Sequence, residues 1–197
     1  MFIQRFADGI HGFQFVLLGE RSAISRQLIK LSSEPNDTAI LMQVYIESNA
    51  KIGRERYPSF GSDDQLREAE QDFYQYLRSV FFSQTGARYA VWIENNRYFS
   101  AVRIEPFSDG LLLCALETAP GFRRKGYGKA LITALQSYLS CSSSGRLYSH
   151  VSKSNISSLD LHKSCGFRVI KDYAVHVDGS VFHDSVTMLY EFEKTES

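Results

Sequence analysis

The sequence predicts an α+β protein with one mixed β-sheet and helices on both of its faces. Before Gly86, apolar residues recur at helical spacing in two segments. After Gly86, three consecutive segments have strand character and are joined by turns at Asn95-Asn96 and Asp109-Gly110. Strand and helix patterns then alternate; hairpins join antiparallel strands, whereas a strand–helix–strand unit joins parallel ones. One sheet is therefore expected to hold both kinds of pairing.

The first helix follows a turn at residues 32–37. Asn36 or Asp37 is expected to cap its start, because a short polar side chain there accepts hydrogen bonds from unpaired backbone N–H groups. Upstream of this turn, the apolar stretches 12–18 and 24–31 are strand candidates. The predicted apolar face of the helix comprises Ile40, Leu41, Val44 and Tyr45.

A second helix is predicted after a loop marked by Pro58 and Gly61. Ser62 and Gln65 form a capping-box pattern, in which both side chains hydrogen-bond to the backbone at the helix start. The apolar residues at helical spacing are Leu66, Ala69, Phe73, Leu77 and Val80.

Three strands are predicted next. Residues 89–93 and 98–104 are rich in β-branched and aromatic residues and form a hairpin. Residues 111–117 are apolar almost throughout, which is typical of a central strand buried on both faces. Pro120-Gly121 ends this strand.

The last part of the chain alternates between helix and strand. A helix at 129–139 and a strand at 147–151 come first. Asn155 opens a short helix, and Gly166 stops it because glycine readily adopts the left-handed conformation of a helix end. A closing hairpin is predicted from residues 173–177, the turn Asp178-Gly179 and residues 181–190.

Length and charge limit the class of protein. The 197 residues suggest one domain, or one domain with an extension. Lys+Arg and Asp+Glu both number 22, and a dedicated nucleic-acid binder usually has a basic excess. The longest apolar runs are far too short to cross a bilayer, and the N-terminus does not resemble a secretory signal. We therefore expect neither a nucleic-acid nor a membrane partner.

The three cysteines, Cys114, Cys141 and Cys165, match no CxxC motif. An odd number without such spacing indicates reduced thiols and predicts a cytoplasmic protein. No cluster of His, Asp or Glu has metal-ligand spacing, so no metal is expected.

The most informative segment is a basic loop with two glycines, located before the helix at 129–139. A helix N-terminus has N–H groups without intrahelical partners and carries partial positive charge. Gly126 and Gly128 lack the side chains that would keep a ligand from this backbone. These features describe an anion site suited to a pyrophosphate, and a plain basic turn is the alternative. Four cations lie within seven residues: Arg123, Arg124, Lys125 and Lys129.

This loop also carries a family resemblance. Thr118-x-Pro120 at a strand end, followed by Arg123-x-x-Gly126-x-Gly128, resembles the acyl-CoA motif of the GNAT superfamily of N-acetyltransferases.

A second motif points to the same superfamily. Val151-x-x-x-Asn155, followed by Leu161-His162 and then Gly-Phe ending at Phe167, is similar to the superfamily's V-x-x-x-N and L-[YH]-x-x-x-G-F. One predicted helix and one predicted strand separate the two motifs, as in the family. The resemblance covers about residues 86–190, and residues 26–85 fit the family's first strand and two helices by secondary structure alone. It implies one domain at 26–192, with an N-terminal extension, 1–25, packed on it.

The resemblance implies a GNAT fold that uses acetyl-CoA as cosubstrate. Acetyl-CoA would lie between two splayed parallel strands, here 111–117 and 147–151. The backbone of Leu116 and Thr118 would hydrogen-bond the pantetheine arm, and Asn155 would lie on its other side. The pyrophosphate site would comprise Arg123, Arg124, Lys125, Gly126, Tyr127, Gly128 and Lys129.

Two residues are candidates for catalysis. Glu117, at the end of the central strand, is placed to hold or deprotonate an amine; an ion pair with Arg123 or Lys153 is the alternative. His162 stands where many family members have a tyrosine thought to protonate the leaving thiolate. An imidazole can do this near neutral pH, and packing against CoA without proton transfer is the alternative.

In this family the loop between the first two helices often covers the acceptor, which the resemblance implies for the loop with Tyr57 and Phe60. Because this loop is aromatic rather than strongly charged, a primary amine of a small molecule is expected; aromatic residues that only cap the core are the alternative. A peptide N-terminus or a lysine side chain is the next possibility. Other hypotheses are a longer acyl donor and a non-catalytic acyl-CoA sensor. Residues 1–25 are a candidate for self-association, which makes a homodimer possible.

Overall fold

The computed structural model describes residues 4–5, 15–19, 35–94, 97–141, 143–176 and 179–194. Side chains are described within these ranges from residue 40 onward, apart from that of Glu94. The strand candidate at 24–31 and the predicted boundary near residue 25 lie outside the described residues.

Eight strands form the main sheet, in the order β1-β2-β3-β4-β5-β6-β10-β7. Strands β2 and β3 are parallel, as are β5 and β6, and the other neighbours are antiparallel. The mixed sheet predicted from the sequence is thus confirmed. The strands are β1 Gln4–Arg5, β2 Phe15–Gly19, β3 Arg88–Glu94, β4 Arg97–Phe107, β5 Gly110–Thr118, β6 Gly145–Ser152, β7 Arg168–Lys171, β8 Ala174–Val175, β9 Val181–Phe182 and β10 Ser185–Phe192.

Helices cover both faces of the sheet, as predicted. Because side chains alternate along a strand, Tyr89 and Val91 face one layer and Ala90 and Trp92 face the other. The first layer contains the helices that precede the sheet's central strands, and the second contains α4 and α5. The helices are α1 Pro35–Val44, α2 Ile46–Arg56, α3 Ser62–Tyr76, α4 Tyr127–Ser140 and α5 Ile156–Ser164. Among the described residues, none of the helices has the length and apolar character needed to span a membrane.

The parallel strands β5 and β6 are paired only where they begin. The pairing runs from Leu111 opposite Leu147 to Leu113 opposite Ser149. Beyond this point β5 continues to Thr118 and β6 to Ser152, with β6 still paired to β10. The two strands therefore separate, and we call the space between their ends the inter-strand gap.

The predicted apolar face of the second helix is wrong at its end. Val80 is 47% exposed, whereas Phe81 is completely buried. The cause is a π-helical turn at Leu77–Phe81, which places more residues in one turn than an α-helix does. The buried position therefore moves from Val80 to Phe81.

The predicted capping box is also wrong. Gly61 is the N-cap of α3, and Ser62 is its first helical residue. The Gln65 side chain instead donates hydrogen bonds to the carbonyl oxygens of Tyr57 and Phe60, at 3.1 and 2.9 Å. Gln65 thus stabilises the preceding loop rather than the helix start.

The closing hairpin is only partly correct. Strands β8 and β9 do pair, with Ala174 opposite Phe182, but they form a separate two-stranded sheet. The long strand β10 pairs with β6 and with β7, a strand that the sequence analysis did not predict. The turn residue Asp178 lies outside the described residues. Helix α4 begins at Tyr127, two residues earlier than predicted.

Candidate acyl-transfer site

A β-bulge interrupts β5 at the inter-strand gap. Ala101 pairs with Glu117 and Arg103 with Cys114, so one residue of β4 lies opposite Ala115 and Leu116. Ala115 has φ +50°, in the left-handed region that non-glycine residues rarely adopt. The bulge interrupts the regular hydrogen-bond ladder between β4 and β5, close to the point where β5 separates from β6.

Glu117 follows Ala115, the left-handed residue of the bulge, by two positions. The Ser48 hydroxyl, in the first turn of α2, donates a hydrogen bond to Glu117 Oε1. Burial raises the pKa of the Glu117 carboxyl above its usual value, while the Ser48 hydrogen bond and the charge of Arg123 partly oppose that rise. A carboxyl with a raised pKa beside a gap is suited to exchange protons with a substrate.

The alternative pairing of Glu117 with Arg123 is not the main contact. Arg123 Nη1 forms its ion pair with Glu47 on α2, and Arg123 Nε donates to the Thr118 carbonyl at 3.1 Å. Lys153 pairs with Asp172 at 2.8 Å. Arg123 therefore joins α2 to the end of β5 and acts on Glu117 only through its charge.

The N-terminus of α4 is exposed beside the same strand end. Gly126 caps the helix with φ +86°, and Arg124 has φ +60°. The helical ladder starts with the Ala130 N–H donating to the Gly126 carbonyl at 2.9 Å. The backbone N–H groups before Ala130 therefore lie ahead of the first bond of this ladder. In many proteins, N–H groups at this position donate hydrogen bonds to a bound anion.

The basic residues of this loop divide into two groups. Lys125 Nζ donates to the Gly121 carbonyl at 3.0 Å and lies 5.4 Å from the centre of the Phe122 ring, so it helps to shape the loop. Arg123 also helps to shape the loop, through its contacts with Glu47 and the Thr118 carbonyl. Arg124 and Lys129 have exposed side chains and add positive charge around the helix start.

Gly128 lets α4 approach the end of β5 closely. A Cβ atom at this position would lie 3.3 Å from Leu161 Cδ2 and 3.4 Å from Thr118 Oγ1. The Tyr127 ring stacks on Phe99, with ring centres 4.6 Å apart. Leu116 packs against the same apolar cluster as α4. The structure thus brings together the two ends of the predicted acetyl-CoA motif.

His162 is buried near the point where the two strands separate. Its side chain is 2% exposed, and its Nδ1 lies 2.7 Å from the Ser158 carbonyl oxygen. A carbonyl oxygen only accepts, so Nδ1 carries the hydrogen; Nε2 then accepts from the Ser149 hydroxyl at 3.0 Å. Burial lowers the pKa of His162. Both ring nitrogens therefore have partners within the protein, and proton donation to the thiolate and packing against CoA both stay predictions.

Asn155 caps α5. Its Oδ1 accepts a hydrogen bond from the Ser158 N–H at 3.1 Å, which satisfies one of the unpaired amides at the helix start. The side chain is exposed next to the end of β6. Its contact with the pantetheine arm stays a prediction.

The aromatic loop lies far from Glu117. Ser48 is in the first turn of α2, whereas Tyr57 follows its last residue, about 14 Å further along the helix axis. Tyr57 stacks on Phe60 and donates to Asp72 on α3 at 2.7 Å. The structure therefore gives no support to the expectation that this loop covers the acceptor.

Two residues of the site were missed by the sequence analysis. Tyr45, between α1 and α2, donates a hydrogen bond to the Ala115 carbonyl at 2.9 Å. Ser48 contacts Glu117 from 69 positions away. Neither residue belongs to a motif, so no signal in a single sequence indicates these contacts.

A comparison with known protein families matches residues 49–167 to the acetyltransferase (GNAT) family. Solved structures have the same fold at low identity. The ribosomal-protein-S18-alanine N-acetyltransferase of Escherichia coli is 19% identical with a TM-score of 0.53, over 85% of this chain and 95% of its own. Spermidine N-acetyltransferase of Vibrio cholerae, solved with CoA and spermine, is 17% identical with a TM-score of 0.54, over 83% and 95%.

A phosphinothricin acetyltransferase of Sinorhizobium meliloti, solved with acetyl-CoA, is also similar. It is 16% identical with a TM-score of 0.52, over 83% of this chain and 87% of its own. A search of curated protein sequences finds no significant match.

The structure places the exposed N-terminus of α4 beside the end of β5, where β5 and β6 have separated, and this arrangement offers an anion site next to the inter-strand gap. The family match covers more than half of the sequence, and the chain belongs to the acetyltransferase (GNAT) family. It is therefore an acetyl-CoA-dependent N-acetyltransferase. Among the described residues, no group of three or more His, Cys, Asp or Glu is arranged to hold a metal ion.

Proposed function

We propose that this protein transfers the acetyl group of acetyl-CoA to a primary amine of a small molecule, with Glu117 as the residue that accepts the amine's proton. The observation that carries the proposal is the partly buried Glu117 carboxyl next to the β5 bulge, with its pKa raised by burial. A primary amine is protonated near neutral pH and must lose a proton before it can attack.

The donor side of the reaction depends on the backbone at the end of β5 and the start of α4. The amides from Arg124 to Lys129 hold the pyrophosphate, with Arg124 and Lys129 adding charge from the rim. The carbonyl oxygen of Leu116 and the backbone of Thr118 bind the pantetheine arm. Gly128 is required because a Cβ there would lie tightly against Leu161 and Thr118, and Gly126 because L side chains rarely adopt its φ of +86°.

The acceptor side depends on Glu117. The carboxylate attracts the ammonium group and removes one proton, and the amine nitrogen then attacks the thioester carbonyl carbon. The carbon–sulfur bond breaks, CoA leaves as a thiolate, and the thiolate takes up the second proton, which the nitrogen loses as the amide forms. The products are an amide and CoA thiol. Ser48 orients the carboxyl through its hydrogen bond.

A partly buried carboxyl favours a slender acceptor over a bulky one. A small amine reaches Glu117 without moving α2, whose first turn is attached to β5 through Ser48 and through the Glu47–Arg123 ion pair. A peptide N-terminus is the second acceptor class to test, since it also presents a slender primary amine.

The test measures release of CoA thiol with two panels of acceptors. One contains polyamines, amino acids and amino sugars, and the other contains peptides with free N-termini. We expect turnover with at least one small amine, and a loss of about a hundredfold in kcat/KM in the Glu117→Gln variant. Glu70→Gln is the matched control, because Glu70 on α3 is another carboxyl whose pKa burial raises.

Two results would contradict the proposal. Turnover with peptides alone would overturn the small-molecule acceptor. A Glu117→Gln variant as active as the Glu70→Gln control would exclude Glu117 as the base, even if the enzyme acetylates small amines.

A further inference from the structure

Tyr45 hydrogen-bonds to one peptide group of the site from the α1 and α3 face of the sheet. Its hydroxyl donates a hydrogen bond at 2.9 Å to the carbonyl oxygen of Ala115, the bulge residue with φ +50°. The contact joins residues 70 positions apart and links the α1–α2 junction directly to the inter-strand gap.

The direction of this hydrogen bond fixes the direction of a neighbouring donor. The Ala115 carbonyl and the Leu116 N–H belong to one planar trans peptide group, so they point in opposite directions. Tyr45 belongs to the apolar cluster on the α1 and α3 face of the sheet, whereas Leu116 packs against the cluster that contains α4. The Leu116 N–H is therefore directed away from Tyr45, towards the α4 side, where the donor binds in the proposed function.

The surroundings of Tyr45 keep its hydroxyl in place. The side chain is 3% exposed, and its ring makes edge-to-face contacts with Phe73 and Tyr89, at 5.2 and 6.2 Å between ring centres. Burial raises the pKa of Tyr45 far above its usual value, so the hydroxyl keeps its proton. The donor to Ala115 is thus both immobile and permanently protonated.

The hydrogen bond also compensates for an unfavourable backbone. A left-handed φ brings the Ala115 Cβ close to the backbone, and such a conformation persists only where neighbouring contacts hold it. Accepting a hydrogen bond polarises the peptide group, which makes its N–H a better donor. Tyr45 therefore acts on both the position and the strength of the Leu116 N–H.

We propose that Tyr45 is a positioning residue for acyl transfer, which holds the Ala115–Leu116 peptide group so that the Leu116 N–H donates to the carbonyl oxygen of the bound thioester. This inference rests on the proposed donor site. A donor aimed at that oxygen stabilises the negative charge that develops there during attack. The Tyr45 hydroxyl makes no contact with the substrate in this account.

The test uses infrared difference spectroscopy of acetyl-CoA labelled at the thioester carbonyl, bound to the wild type and to Tyr45→Phe. A hydrogen bond to the carbonyl lowers its stretching frequency. We expect a shift to lower frequency in the wild type, a smaller shift in Tyr45→Phe, and similar acetyl-CoA affinities. With any acceptor amine found in the screen, kcat should fall about tenfold, and KM for acetyl-CoA should stay unchanged.

Two further variants separate positioning from stability. Tyr148→Phe removes another tyrosine hydrogen bond, 2.6 Å long, to Asp109 in the turn before β5, and it should leave the carbonyl band unchanged. Ala115→Gly relieves the backbone strain, because glycine adopts a left-handed φ freely. The effect of Tyr45→Phe on the band should therefore be smaller when Ala115→Gly is also present.

The outcomes distinguish this inference from the proposed function. If the wild type does not bind acetyl-CoA, the donor site itself is wrong. If it binds and Tyr45→Phe leaves the band unchanged, only the role of Tyr45 is overturned. A second measurement needs no variant: the Leu116 amide proton resonance should move further downfield with acetyl-CoA than with CoA, because both carry the pantetheine arm but only acetyl-CoA has a carbonyl at its sulfur. Identical shifts with both would overturn the inference.

Discussion

The Ser48 hydroxyl donates a hydrogen bond to the Glu117 carboxyl and so joins the start of α2 to the end of β5. This contact lowers the pKa of Glu117, whereas burial raises it. A hydrogen bond to a carboxylate stabilises the charged form, which is the form that can accept a proton. The balance between these two effects sets the pH at which Glu117 becomes a base.

Ser48→Ala should therefore move the acidic limb of the kcat/KM profile to higher pH. Without the hydrogen bond, only burial and neighbouring charges act on the carboxyl, so its pKa rises further. At alkaline pH the variant should approach wild-type activity. The measurement is a pH–rate profile, and Ser83→Ala, which removes an exposed hydroxyl far from the site, is the control. Superimposable profiles for the wild type and Ser48→Ala would contradict the contact's role.

Glu117→Gln should not lower the stability of the protein near neutral pH. The folded-state pKa of Glu117 is raised, so the stability linked to its proton is present below the unfolded pKa of about 4.3 and is lost as pH rises through the folded pKa. Glutamine does not ionise, so the variant does not lose this stability as pH rises. We expect the variant to melt at an equal or higher temperature at neutral pH, with its advantage shrinking towards about pH 4. A clear loss of stability at neutral pH would show that the charged carboxyl stabilises the fold.

His162 should contribute to acid sensitivity of the fold. Burial lowers its folded-state pKa, so the unfolded chain binds the proton more readily. The stability from the neutral imidazole is present above the unfolded pKa of about 6.5 and is lost as pH falls through that value towards the folded pKa. His162→Gln should weaken this pH dependence in denaturant unfolding, and His183→Gln, at an exposed turn, should not.

The same variant also tests the catalytic alternative. Because both ring nitrogens of His162 are hydrogen-bonded to Ser149 and Ser158, we expect His162→Gln to reduce turnover by less than about tenfold. A loss of a hundredfold or more at unchanged stability would instead support proton donation to the thiolate.

The sequence predicted those parts of the site that depend on local chemistry. The left-handed Gly166, the Asn155 cap and the apolar strand before the basic loop all follow from neighbouring residues, and the structure contains them. The mixed sheet followed from the order of hairpins and crossovers.

The wrong or missing predictions concern features that depend on tertiary packing, including contacts between residues far apart in the sequence. Val80 was placed in the core because α-helical spacing was assumed, and a π-helical turn displaced it. Strand β7 has exposed residues on both sides, so it lacks the alternating pattern that marks a half-buried strand. Tyr45 and Ser48 contact β5 only after the helices pack on the sheet. No sequence pattern predicts a contact between residues about 70 positions apart.

The most direct test of the account is the binding of acetyl-CoA at the N-terminus of α4, measured by calorimetry. The wild type should bind with micromolar affinity, which corresponds to about −8 kcal/mol. Gly126→Glu should abolish binding, because it adds a carboxylate to the phosphate site and strains a residue with φ +86°. Gly126→Ala measures the strain alone.

Gly121→Glu is the matched control, since it adds the same charge to the same loop at a position with open space around the Cβ. The account predicts loss of binding in Gly126→Glu and retained binding, weakened at most by long-range charge, in Gly121→Glu. Equal affinities of wild type and Gly126→Glu would contradict it, because the pyrophosphate would then lie elsewhere.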